Sequence, residues 1–190
     1  MKKIRIEKKI PVYPTAVTLV GAQVEGKPNF LTVVWWSIVN FQPPLAAVVL
    51  NKNNYTNRGI QETKTFSINI PSEDMVGLVD YCSIISGREA DKSTIFSTFY
   101  GSIKTAPMIS ECPITLECKL IETVGFATHD ICIGEIIESY TEKKYLTNDV
   151  PDIKKVNPII YSMYDNNYWK LGENIGKAYH IGKKYRPKEK

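Results

Sequence analysis

Two histidines, His129 and His180, are all that this 190-residue chain offers, and the scarcity narrows its chemistry before any motif is read. A hydrolytic triad would have few bases to draw on, and no G-x-S-x-G nucleophile elbow occurs. The four cysteines, Cys82, Cys112, Cys118 and Cys132, form no C-x-x-C pair, which weakens zinc and thioredoxin-like readings and leaves no expected metal. No G-x-G-x-x-G dinucleotide fingerprint is present. Long apolar spans and a leader-like stretch are lacking too, so the expected location is cytoplasmic, with reduced thiols and no membrane partner. Charge of one sign is in short supply. The formal net charge is +4, and part of the excess sits in the tail Lys183, Lys184, Arg186, Lys188 and Lys190. Without a basic face interleaved with aromatics, nucleic acid is not an expected partner. Repeats, low-complexity tracts and linkers are also missing, so residues 1–190 read as a single domain large enough to bury a core.

What the chain has in quantity is short apolar runs with β-branched and aromatic residues, which read as strands. The opening Lys-Lys-Ile-Arg-Ile-Glu-Lys-Lys after Met1 alternates like an edge strand. Residues 16–22 read as a strand, 25–28 as a turn, and Asn29 to Ser37 as a strand carrying Trp35 and Trp36. A Pro43-Pro44 break follows, then a strand over 45–50. Residues 55–62 suit a short helix capped by Asn54 or Thr56. Phe66 to Ile70 alternates with period two, and 72–83 suits a helix with Met75, Leu78, Val79 and Cys82 on one face. Further strands are expected over 114–120 and 128–140, the latter bulged at Gly134, with two short ones at 158–163 and 168–171. Residues 142–157 read as loop. Strands with helices inserted, rather than alternating, predict an antiparallel barrel.

One polar cluster stands out, Asn51-Lys52-Asn53-Asn54-Tyr55-Thr56-Asn57-Arg58, at the end of the second apolar run. Its donor-rich side chains suit an anionic or polar ligand at the start of a helix, whose N-terminal amides favour an anion. The same residues could instead form only a capping turn. Together with the tryptophan strand, the pattern points to a bound organic cofactor.

The order of motifs resembles the flavin reductase-like family of split β-barrels, and its flavoredoxin branch most of all. The resemblance rests on Asn29-x-x-Thr32-x-x-Trp35-x-Ser37, Pro43-Pro44, Asn53-Asn54-Tyr55-Thr56 and Phe66-x-x-Asn69-Ile70-Pro71. It continues through Asp80-Tyr81-Cys82-(x)3-Ser86-Gly87-(x)3-Asp91-Lys92 and Leu171-Gly172-(x)3-Gly176-Lys177-Ala178, and spans Tyr13-Pro14 to Gly182-Lys183. It implies a mainly β fold, a six-stranded antiparallel Greek-key barrel with peripheral α-helices, usually a homodimer, with FMN as cofactor. Asn29, Leu31, Thr32, Val33, Trp35, Trp36 and Ser37 would supply the platform and donors for the isoalloxazine ring. Asn51, Asn53, Tyr55, Thr56, Ser86 and Lys92 would cradle the polar parts, with Thr56 and Lys92 on the phosphate. Cys82 would be a structural thiol approaching the flavin, and His180 a contact with the flavin edge from a neighbouring subunit. The implied activity is an FMN-binding oxidoreductase or electron-transfer protein, fed by NAD(P)H or a redox protein donor. The alternative is a non-catalytic binding module that kept the barrel.

Overall fold

The computed structural model describes residues 2–6, 10 and 14–185. Seven strands form its main sheet: β1 (Thr18–Val24), β2 (Lys27–Val33), β3 (Trp36–Asn40), β4 (Leu45–Asn51), β5 (Thr65–Ile70), β6 (Ile114–Gly125) and β7 (His129–Thr141). Their order is β2-β1-β5-β6-β7-β4-β3, and every neighbouring pair is antiparallel. β2 and β3 lie at opposite ends of that order, yet only Val34 and Trp35 separate them in the chain. Two extended residues bridge on the order of 10 Å, so the sheet curls until its two edges meet. The result is a mainly β barrel with a seam between β2 and β3. The Trp35 carbonyl also accepts from Val49 N of β4 at 2.9 Å, fixing the linker to the wall.

Strands whose two faces are both covered read as continuous apolar runs, and β1 is one of them. Val20 and Ala22 enter the barrel interior with Val48, Leu50, Phe66, Ile68, Cys118 and Cys132. Leu19, of opposite parity, enters a second core with Phe30, Met75, Val79, Cys82, Phe96, Ile109 and Cys112. That second core lies under α2 (Val76–Ile84), while α1 (Tyr55–Thr63) presses Ile60 into the first. α1 ends where Lys64 turns left-handed at φ 58° and its N–H returns to the Ile60 carbonyl. Outside the barrel, Ile160–Ser162 pairs with Thr15–Ala16 on one side and Asn167–Trp169 on the other.

Several expectations meet the structure directly. The β6–β7 register shifts between Ile133 and Gly134, as a bulge requires, and a Cβ at Gly134 would stand 2.5 Å from the Phe66 ring. Others are corrected. The tryptophan strand is not continuous over 29–37: it breaks at Val34–Trp35, and this split gives the sheet seven strands where six were expected. Leu78 does not share the buried face of α2. A single 3-10 turn (Glu73–Met75) precedes the helix, and Leu78 is 42% exposed while Met75, Val79 and Cys82 are buried. Residues 2–6 are exposed and carry no strand, and the rest of the expected N-terminal edge strand lies outside the described residues, as do Tyr13, Arg186, Lys188 and Lys190. Residues 142–157 hold more than loop, including the two-stranded Leu146–Thr147 and Val150–Pro151 pair and a short helix over Ile153–Val156. The polar positions of β6 do not all face water. Glu117 is fully buried and accepts from Ser102 N at 3.2 Å, Ser102 Oγ at 2.9 Å and Ile103 N. Among the described residues, no helix is long and apolar enough to cross a membrane.

Candidate functional site

β4 ends at Asn51, and the chain must turn there into α1. Asn51 organises that turn: its Oδ1 accepts from Asn53 N at 2.9 Å and its carbonyl from Asn54 N at 3.0 Å. Asn54 stands at the helix N-cap position with extended backbone, but makes no side-chain capping bond. The amide of Asn54 is therefore not consumed by the helix, and the Asn53–Thr56 stretch faces a cleft instead. β2 supplies the floor, with Asn29 and Leu31. The stretch from the end of α2 into the following turn, Ser83 to Gly87, supplies the far wall, and Lys92 closes the base. The cleft holds about 210 Å³.

Gly87 is what lets that far wall close. A Cβ there would fall 2.1 Å from Asn29 Oδ1 and 2.7 Å from Tyr55 Cδ1, so only glycine fits while Asn29 keeps its place. Asn29 is itself 5% exposed and donates through Nδ2 to the Thr56 hydroxyl at 2.7 Å. The turn is held by Ser86, whose carbonyl accepts from Glu89 N and Ala90 N, and whose Oγ accepts from Arg88 N at 3.2 Å. A second cleft of about 230 Å³ adjoins the first, sharing Asn29, Tyr55, Gly87 and Lys92, and continues outward along Glu25, Lys27, Arg88, Glu89 and Asp91. Together the two clefts fall within the roughly 300–1,000 Å³ of small-molecule sites.

Lys92 is not a surface lysine. It is 2% exposed, and its Nζ donates to the carbonyls of Phe30 and Cys82, both at 3.1 Å. Burial lowers its pKa, opposed by the nearby Cys82 thiol and Glu89. An ammonium has three N–H donors, so one remains for whatever enters the cleft. Through these two bonds Lys92 ties β2 to the end of α2. Burial also pushes the Cys82 thiol up to about 11, which keeps it protonated and inert.

The structure brings Asn29, Leu31, Asn53, Tyr55, Thr56, Ser86 and Lys92 together around this cleft. The remaining expected residues lie elsewhere. Thr32 Oγ1 donates to the Val79 carbonyl and Val33 is 5% exposed in the barrel core. Trp36 packs against that core and its Nε1 donates to the Ala16 carbonyl at 3.0 Å. Trp35 lies against His129, ring centroids 5.2 Å apart. Ser37 is exposed on the barrel's edge strand, bonded to the Ile38 carbonyl at 3.1 Å. Asn51 shapes the turn without lining the cleft, Cys82 is buried in the second core, and His180 is exposed in the C-terminal segment. Asn54, part of the polar cluster, also lines the cleft, and Ser83, Ile84, Ile85 and Arg88 line the two clefts without having been singled out in the sequence. Arg88 directly adjoins the motif residues Ser86-Gly87; the isoleucines carried a signal only in being apolar at a helix end. Among the described residues, no group of three or more His, Cys, Asp or Glu side chains could hold a metal ion.

A donor-lined cleft with Leu31, Ile84 and Ile85 as apolar wall suits a planar ring bearing polar edges and an anionic arm. The flavin reductase-like domain matches residues 10–167. The chain belongs to the flavin reductase-like family. The flavoredoxin of Methanosarcina acetivorans is 46% identical, with a TM-score of 0.94 over 96% of this chain and 98% of that one. The flavoredoxin of Desulfovibrio vulgaris (Miyazaki F) is 36% identical, with a TM-score of 0.88 over 96% and 100%. An FMN-binding protein from Thermus thermophilus, solved with bound p-hydroxybenzaldehyde, is 25% identical, with a TM-score of 0.80 over 93% and 99%. A relative from Aeropyrum pernix is 26% identical over 133 residues, 68% of this chain, and the chain spans only 51% of that protein's length.

Proposed function

We propose that this flavin reductase-like chain binds one FMN in the cleft between β2, the start of α1 and the Ser83–Gly87 turn, and works as an oxidoreductase or electron-transfer protein of the flavoredoxin kind. The observation that supports it most is the convergence of Asn29, Asn53, Asn54, Thr56 and Ser86 on one cleft that also has an apolar wall. These residues match what FMN needs, since its ring carries carbonyl and N–H edges and its ribityl chain ends in a phosphate. FMN supplies the one- and two-electron chemistry when bound. The protein's residues do the rest. Asn29 is held in place by Thr56, so its carbonyl Oδ1 and remaining N–H are pre-oriented toward the cleft; Leu31, Ile84 and Ile85 exclude water from the ring face; Lys92 fixes the floor. The electron source proposed is either NAD(P)H stacking on the ring or a reduced protein donor.

The test is direct. Added FMN should lose its fluorescence on the purified protein with a stoichiometry of one per chain and give the two-band flavin spectrum. Under anaerobic conditions NADH, NADPH and a reduced ferredoxin are then compared as donors. Fast bleaching by nicotinamide identifies a reductase, and fast bleaching by ferredoxin alone identifies a carrier. A chain that neither contains nor quenches FMN would favour the binding-module alternative.

A homodimer is proposed with it. Ile38, Val39 and Phe41 stand exposed along and beyond the edge strand β3, and Ile175, Tyr179 and Ile181 stand exposed in the C-terminal segment, more apolar surface than a small barrel leaves bare. A contact of His180 with the flavin of a neighbouring subunit belongs to the same proposal. Light scattering should give about twice the 21.5 kDa chain mass, and a monomeric mass would refute the dimer. A cytoplasmic site of action fits four cysteines that are all free and buried.

A further inference from the structure

Another cavity, of about 350 Å³, opens on the outer face of the barrel and shares no residue with the two clefts described above. Strand register builds its floor. Thr115 of β6 stands between Tyr140 of β7 and Asn69 of β5, so the three side chains share one face, opposite to Ile68 and Cys118 of the barrel interior. The segment 96–112 crosses this face, with Thr98–Phe99 paired to Met108–Ile109, and it adds Phe99 and Cys112 to the lining. The Phe99 and Tyr140 rings meet edge to face, centroids 5.7 Å apart and planes at 89°.

Thr115 is 2% exposed, and among the described residues its hydroxyl has no hydrogen-bond partner. Neither cross-strand neighbour serves it. Asn69 gives its amide to the Leu19 carbonyl and to Ser67 Oγ, both at 2.9 Å, and its Oδ1 accepts from Ile109 N at 2.9 Å. The Tyr140 hydroxyl reaches past it to the buried Glu117: a Cβ at Gly101 would stand 2.2 Å from that hydroxyl and 2.7 Å from Glu117 Oε2. At the rim, Thr141 already donates to the Pro113 carbonyl at 2.7 Å. A buried hydroxyl without a partner is costly, and this one belongs to the wall of a cavity.

We propose that this cavity is a second binding site, for a small neutral aromatic molecule that carries one hydrogen-bonding oxygen. Its ring packs on Phe99 and Tyr140, which offer an apolar face and edge, and its oxygen meets the Thr115 hydroxyl, which both donates and accepts. The lining also sets the charge of the ligand. Among the described residues no cation lines the cavity to receive an anion, and the charge of Glu142 is already held by Lys144 at 2.8 Å. Burial raises the pKa of the Cys112 thiol, so it stays protonated and adds a neutral, polarisable wall.

Phenol is the probe, with toluene and benzoate as controls, each titrated by saturation-transfer NMR into the wild type, Thr115→Val and Phe99→Leu proteins. The wild type should bind phenol at millimolar concentration and benzoate distinctly more weakly. Thr115→Val keeps the shape of the side chain and removes the hydroxyl, so phenol should weaken about 3- to 10-fold while toluene stays within about twofold. Phe99→Leu removes one ring of the wall and should weaken phenol and toluene alike. Thermal melting supplies an independent readout: Thr115→Val should melt at or above the wild type, because no bond within the protein is lost. A lower melting temperature would show that the hydroxyl is already served inside the fold, and would overturn the site. Failure of phenol to bind the wild type, or equal phenol affinities for wild type and Thr115→Val, would overturn it as well.

Discussion

Gly87→Ala is expected to weaken FMN binding about 10- to 100-fold while leaving the barrel folded. The added Cβ would lie 2.1 Å from Asn29 Oδ1, 2.8 Å from Asn29 Cγ and 2.7 Å from Tyr55 Cδ1, far inside contact distance. Either the Ser86–Gly87 turn retreats, opening the far wall, or Asn29 swings away and gives up its 2.7 Å bond to Thr56. Overpacking of this kind costs about 1–3 kcal/mol, and the cost falls on the cleft because both colliding residues line it. Titration with FMN checks the loss. A second measurement isolates its cause: in an Asn29→Ala background the same glycine substitution should cost distinctly less, because the nearest obstacle has gone. Unchanged affinity in Gly87→Ala would show that this turn does not shape the binding site.

The largest stability effect should come from Glu117→Ala. The side chain is fully buried on β6 and gathers two backbone N–H groups and a hydroxyl from the Ser102–Ile103 loop, which covers that face of the sheet. Truncation removes bonds to a charged acceptor and strands the donors, a combined loss of about 3–5 kcal/mol. For a chain of this size that lowers the melting temperature by roughly 10 °C. Glu117→Gln should lose about half as much, since one acceptor survives while the amide adds donors to a donor-rich pocket. Guanidinium unfolding of the cofactor-free protein measures both. A loss below about 1 kcal/mol for Glu117→Ala would mean that water replaces the carboxylate at no cost, and that the loop does not depend on it.

Much of the fold was legible because its signals are local. Phe66 to Ile70 alternates, and β5 occupies Thr65–Ile70; Gly134 marked the bulge; the polar cluster after residue 50 marked the turn into α1. The break of the tryptophan strand was not legible, since Val33-Val34-Trp35-Trp36 contains no glycine or proline and the sheet's closure, not local propensity, bends it. The burial of Glu117 was not legible for a similar reason: nothing local to β6 shows that the Ser102–Ile103 loop covers it. At the site, Asn29, Asn53, Tyr55, Thr56, Ser86 and Lys92 could be named because they sit in ordered motifs. What each atom does could not, because the bonds of Lys92 to Phe30 and Cys82 join segments 62 and 10 residues apart.

The seam between β2 and β3 bears on how the barrel assembles. Its two strands are chain neighbours, so bringing the edges together closes a loop of only two residues, with little entropy to lose. The costly closures lie across the rest of the wall, where Val48 of β4 pairs with Cys132 of β7 and Ile68 of β5 pairs with Leu116 of β6 across α2 and the whole covering loop. Pairing across so long an intervening segment must precede the cooperative gain of a closed wall, and long-range pairings of this type set the pace of folding in β proteins. The floor and entry turn of the cleft, β2 and the start of α1, come from residues 27–56, but its far wall and base, Ser83–Gly87 and Lys92, follow β5 in the chain. The cleft therefore joins a short-range hairpin to a wall that takes its place only once α2 has packed on β2 through Phe30, Val79 and Cys82.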